Sequence, residues 1–173
     1  MKRLIAFTLA FSAVIFIGLS ACTKKTTAYP KQARGVLAAF LQADSQAVAL
    51  SEKTWPTLAA YTTWTAMPPW DALVIIDGYD VGETREGSTR AQVDVTYHTR
   101  GRLGKTYVAD ARRENVVFHL NKIDDQWKVD LPQLPPHVSW ETMQKRLAQG
   151  SVENPQVKAS NDALIAQIAG DGK

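Results

Sequence analysis

The stretch Ala91-Gln92-Val93-Asp94-Val95-Thr96-Tyr97-His98 decides the fold. Its apolar and polar residues alternate with a period of two, which suits a strand with one face on a core and the other in water, because successive strand side chains point to opposite faces. Ala91, Val93, Val95 and Tyr97 are expected inside, and Gln92, Asp94, Thr96 and His98 outside. Before it, residues 73–81 are rich in Val, Ile and Tyr and end near Gly82, a second strand whose facing is ambiguous. After it, a polar stretch over residues 101–113 precedes a third strand, in which Val116, Phe118 and Leu120 alternate with Val117, His119 and Asn121. Asp124-Asp125-Gln126 makes a turn into Trp127, Val129 and Leu131, closing a hairpin. An antiparallel meander of about four strands follows from this pattern.

Further out the period becomes helical. Pro30 suits a helix start, and Ala33, Val36, Leu37, Phe40 and Leu41 recur at helical spacing until Asp44 and Ser45 interrupt them. Residues 47–50 continue the pattern, and Ser51 or Thr54 can cap a short helix carrying Leu58, Ala59 and Tyr61. Met67-Pro68-Pro69-Trp70 ends the helical region, because the residue before a proline is driven out of the α conformation. At the other end, Leu134-Pro135-Pro136 is a stiff connector and Ser139 caps a helix over residues 140–149, stopping at Gly150. The expected fold class is α+β: N-terminal helices packed on a curved antiparallel sheet, then a C-terminal helix and a polar tail, residues 151–173, with a short helical pattern at Leu164, Ile165 and Ile168.

The 173 residues, 45% hydrophobic and 21% charged, suit one globular domain and exclude the disordered classes. Without Lys2 and Arg3, 18 of the 20 Lys+Arg remain against 17 Asp+Glu, a balance of +1 that gives no reason to expect nucleic acid. The single cysteine excludes a disulfide framework and a cysteine-cluster metal site. Its position supplies another reading. Lys2 and Arg3 are followed by an uncharged apolar run over residues 4–18 and then by Leu19-Ser20-Ala21-Cys22. These four residues resemble the lipobox of bacterial lipoproteins, which implies cleavage before Cys22 and a diacylglyceryl group on its thiol. Residues 1–21 are then a signal peptide, residues 22–28 a lipidated cysteine and linker, and residues 29–150 the folded domain. The competing reading, an uncleaved membrane helix, meets an apolar run near or below the roughly 20 residues that a span needs. The resemblance implies export and a lipid anchor in a bacterial membrane; with two membranes, Thr23 after the cysteine resembles the pattern sent to the outer one.

Helices, then a curved meander, then the hairpin Ile123-Asp124-Asp125-Gln126-Trp127-Lys128-Val129-Asp130 together resemble small exported domains of the nuclear transport factor 2-like, or cystatin-like, cone fold. The resemblance covers roughly residues 29–131. Enzymes of that fold place an Asp, His or Tyr inside the cone, and here the expected inner face offers only Tyr97 as a titratable group, a poor base near neutral pH.

No Gly-rich phosphate loop, His-Glu-x-x-His helix or Gly-x-Ser-x-Gly elbow occurs, so nucleotide, zinc-protease and esterase chemistry lack support. His98 and His119 fall on polar strand faces, where a pair for metal or proton transfer is conceivable, but no carboxylate or third ligand has matching spacing and two solvated positions are favoured. His137 belongs to the connector; Asp77 and Asp80 sit on the strand of ambiguous facing, where either can point inward, but a strand end or turn suits them better. Arg100, Arg102, Lys105, Arg112 and Arg113 gather around the long hairpin connection, as an edge-protecting loop or a basic tip. Trp64 and Trp70 flank Pro68-Pro69 and, with Tyr97, are the candidate ligand contacts. The expectation is a membrane-anchored envelope domain that binds a small apolar ligand or a protein partner without catalysis, metal or cofactor. An envelope enzyme with an unrecognised site in the cone, or a subunit of an envelope assembly, are the alternatives.

Overall fold

In the computed structural model, which describes residues 29–170, the apolar stripe of the first helical segment becomes α1, Ala33–Ser45. Val36, Leu37, Phe40 and Leu41 are buried along one face, each contributing roughly 1.5–3 kcal/mol relative to exposure. Asp44 does not interrupt the helix, as the sequence reading had it: it sits in the last turn, on the buried stripe, 4% exposed. A 3-10 turn, Val48–Leu50, and the short helix α2, Trp55–Ala59, follow.

Five strands then form one sheet: β1 Leu73–Glu86, β2 Arg90–Leu103, β3 Tyr107–Ile123, β4 Gln126–Leu131 and β5 His137–Ser139, in the spatial order β4-β3-β2-β1-β5. The first four are the expected antiparallel meander. The fifth corrects the count and the type of sheet, because β5 pairs parallel with β1, Val74 against His137. Register shifts along β1 at residues 75–78 and 81–84 bend the strand and curl the sheet. The β3–β4 turn is Asp124-Asp125, both at positive φ (47° and 61°), as a two-residue hairpin loop of the right twist requires.

The faces of β2 follow the sequence, with Ala91, Val93, Val95 and Tyr97 all buried. Residues 101–113, read as a polar connection, are mostly strand: only residues 104–106 turn, and Arg100, Arg102, Arg112 and Arg113 lie on paired strands, not on a loop tip. Gly101 has a local reason there, since a Cβ would come within 2.4 Å of the Val108 carbonyl oxygen.

Two cores share the sheet. The larger packs α1 and α2 against the face carrying Val74, Ile76, Val93, Tyr97, Phe118 and Trp127. The smaller packs Ile75, Tyr107 and Val138 against α3, Trp140–Glu153, and α4, Lys158–Gly170. Helix α3 starts at the expected Ser139 cap, whose side chain accepts the Thr142 N–H, but it passes through Gly150. After a second 3-10 turn, Pro155–Val157, the short helical pattern expected in the polar tail extends into the 13-residue α4, with Ile168 fully buried against the sheet and α3. Arg100 fastens its end: Nη1 donates to the Ile168 carbonyl, Nε pairs with Asp77, and the guanidinium lies 5.6 Å from the Trp140 ring centre.

Candidate functional site

Three titratable side chains meet under α1, where the sequence offered one. Tyr97 comes from β2, Asp44 from the last turn of α1, and His137 from the start of β5. The His137 backbone N–H donates to Asp44 Oδ2 at 2.9 Å, so the parallel pairing of β5 is tied directly to the end of α1. The His137 ring stacks on Tyr97 with centres 3.9 Å apart. Tyr97 and His137 are 1% and 2% exposed, and the Tyr97 hydroxyl and both His137 ring nitrogens have no protein hydrogen-bond partner. His137 is thus no connector residue, and the inner face is less apolar than the strand pattern alone implies.

Burial sets the charge states. It pushes the Asp44 carboxyl up to about 7, against the pull of the His137 N–H, which favours the carboxylate. It pushes the His137 imidazole down to about 4; Arg102 pushes the same way, while Glu114 and the Pro135 carbonyl, close to the ring but outside hydrogen-bond geometry, oppose it. The Tyr97 phenol is raised well above its usual value by burial, and by Asp44, Tyr79 and Glu114. Near neutral pH the site therefore holds a neutral imidazole, a neutral phenol and a carboxyl close to half-protonated. The cavity that these groups line, with Phe40, Trp64 and Trp70, has a volume of about 10 Å³, room for one water.

A second concavity, of about 380 Å³, lies outside Trp70 and is lined by Leu50, Met67, Pro69, Trp70, Leu73 and Leu103. That volume falls within the range of small-molecule sites. Leu50 and Met67 are among the exposed large apolar residues of the described chain. Trp70 is half-buried, edge-on to both Trp55 and Trp64 at 6.2 Å, and is the one residue that lines both concavities.

Of the residues singled out from the sequence, Trp64 is 7% exposed and faces only the interior, its indole N–H donating to the Asp130 carbonyl at 2.8 Å. Trp70 is the groove wall, and Tyr97 is at the centre of the buried trio. Cys22 lies outside the described residues. His98 and His119 are not brought together: His98 stands opposite Arg113 and His119 opposite Gln92, six residues away along β2. His98 does have the carboxylate that spacing failed to reveal, Asp80 at 2.8 Å, and Asp77 and Asp80 lie within β1 rather than at its end or in a turn. That pair is largely exposed and contributes little. Among the described residues no three His, Cys, Asp or Glu side chains are placed to hold a metal ion.

Sequence reasoning missed Asp44 and His137. Asp44 had a signal: it stands four residues after Phe40 and three after Leu41, an acid on an apolar helix stripe. His137, between Pro136 and Val138, had none. No family model matches the chain, and no curated protein or solved structure matches it.

Proposed function

We propose that this chain is an exported, lipid-anchored envelope domain of the cone type that binds a small apolar or aromatic molecule without transforming it. The observation that carries the binding reading is the groove beside Trp70: it is ligand-sized and largely apolar, and Leu50 and Met67 in its lining are open to solvent. The anchor rests on Leu19-Ser20-Ala21-Cys22 after a basic start and an apolar run. Several acyl chains on one cysteine anchor stably, where a single chain is marginal. The cone reading is supported by the helices, the curled meander and the Asp124-Asp125 hairpin.

An envelope enzyme is the second reading, favoured by the contact between Asp44 and His137 in an enclosed site. It is set below binding because Asp44 accepts from the His137 backbone N–H and not from the ring, so the two side chains form no proton-transfer pair.

Two measurements test the proposal. Radiolabelled fatty acid is expected to mark the parent protein and not Cys22→Ser, since serine lacks the thiol that accepts the lipid; equal labelling of both would remove the anchor. Toluene, titrated into the full chain held in lipid nanodiscs, is expected to give saturable shifts of the Leu73 and Leu103 methyl signals. Signals that stay fixed, or that drift linearly to the solubility limit, would remove the groove as a binding site.

A further inference from the structure

The groove and the cavity of the buried trio share one lining residue. Trp70 walls both, Pro136 lines the groove, and the next residue, His137, lines the cavity. Inside that wall lie three polar atoms with no protein partner, on side chains at least 98% buried. Buried polar groups are nearly always satisfied, and leaving them unmatched is costly, so the Tyr97 hydroxyl and the His137 ring, both lining one small cavity, mark a place where a further hydrogen-bonding group belongs.

We infer that the groove and the cavity are two halves of one binding site, for a small neutral molecule with an aromatic body and a hydroxyl head. This rests on the groove reading above. The body lies in the groove against Trp70 and the apolar side chains of Met67 and Leu103. The hydroxyl passes the displaced Trp70 and meets Tyr97 and His137. Its chemistry matches theirs: a neutral imidazole has one acceptor nitrogen for the ligand's O–H, and the Tyr97 hydroxyl can donate to the ligand's oxygen. The sizes match as well, since about 10 Å³ accepts one oxygen atom and about 380 Å³ accepts a ring. Charged heads are selected against. Either charged head would lose its hydration among Phe40, Trp64 and Phe118; a carboxylate would also be repelled by Asp44, partly ionised near neutral pH, while an ammonium would regain part of that loss from the same group.

The test uses the full chain in nanodiscs and four probes that share one ring: benzyl alcohol, toluene, benzylammonium and benzoate. Ring signals of His137 and Tyr97 report the interior, and methyl signals of Leu73 and Leu103 report the groove. Benzyl alcohol is expected to move both sets saturably, and toluene the groove set alone. Tyr97→Phe, nearly isosteric, is expected to weaken benzyl alcohol roughly three- to tenfold, the worth of one net hydrogen bond, and to leave toluene unchanged. If benzyl alcohol moves only the groove signals, the two-part site is overturned and the groove reading stands. If neither probe moves the groove signals, both are overturned. Binding of benzoate or benzylammonium as tight as that of benzyl alcohol would overturn the neutral head.

Discussion

Trp127→Ala is expected to remove about 3–5 kcal/mol of folding stability, the usual cost of emptying a buried aromatic site. Trp127 is 2% exposed and is the largest side chain that the edge strand β4 gives to the core. That strand pairs with β3 alone in the sheet, so the indole and Val129 do most to hold it. The site is also knitted to the helical layer. The Tyr29 hydroxyl donates to the Trp127 carbonyl, Tyr29 stacks on Tyr61 at 5.8 Å, and the Val129 N–H donates to the Tyr61 carbonyl at 2.8 Å. Against a total of roughly 5–15 kcal/mol for an ordinary domain, such a loss leaves the fold marginal. Urea melts of parent and variant measure it. Val117→Ala is the control: Val117 lies on β3 and is 42% exposed, so a change within about 0.5 kcal/mol is expected there. Coincident melts of parent and Trp127→Ala would mean that the indole is not packed as described.

Replacing either partner of the Asp44–His137 contact is expected to expose a pH dependence that the parent hides. The Asp44 carboxyl is raised from 3.8 to about 7, so its contribution is fully present below the unfolded value and is lost as pH rises through the folded one, roughly 4 kcal/mol in all. The His137 imidazole is lowered from 6.5 to about 4, so its contribution is present above the unfolded value and is lost as pH falls through the folded one, roughly 3 kcal/mol. Between about pH 4 and 6.5 the folded chain carries its proton on Asp44 and the unfolded chain carries it on histidine, so the two slopes cancel. From this pair, the parent stability is expected to be flat in that window. Asp44→Asn keeps an oxygen to accept the His137 N–H and leaves the histidine slope: relative to the parent, stability rises with pH by about 1.4 kcal/mol per unit. His137→Phe keeps a ring to stack on Tyr97 and leaves the opposite slope, falling up to about pH 7. The other charged groups facing the pair, Glu114 and Arg102, are common to all three proteins and drop out of the differences. Denaturant melts at half-unit pH steps provide the curves, and an Asp44→Asn profile parallel to the parent's would show that Asp44 does not titrate in the core.

The local elements were legible from the sequence wherever one face of an element is dry and the other wet. Strand β2 has that environment along most of its length, and its inward set was read correctly residue by residue. Strand β1 does not. Val74 and Ile76 face the large core while Ile75 faces α3 and α4, so the run 74–76 is buried on both sides and the alternation that assigns faces disappears. Residues 101–113 misled for the opposite reason: Arg102, Arg112 and Arg113 are exposed strand residues, where charge carries no periodic signal. Three-residue β5 is too short for any period, and only its pairing with β1 makes it a strand.

What the sequence by itself determined is therefore the α+β order of elements, the inner face of β2 and the place of the hairpin turn before Trp127, each specified by neighbours along the chain. The tertiary structure alone decided the candidate site. Asp44, Tyr97 and His137 are separated by 53 and 40 positions in the chain and meet because the end of α1, the middle of β2 and the parallel strand β5 converge on one point of the core. Their protonation states follow from burial at that point, a property that no residue possesses until the elements have packed.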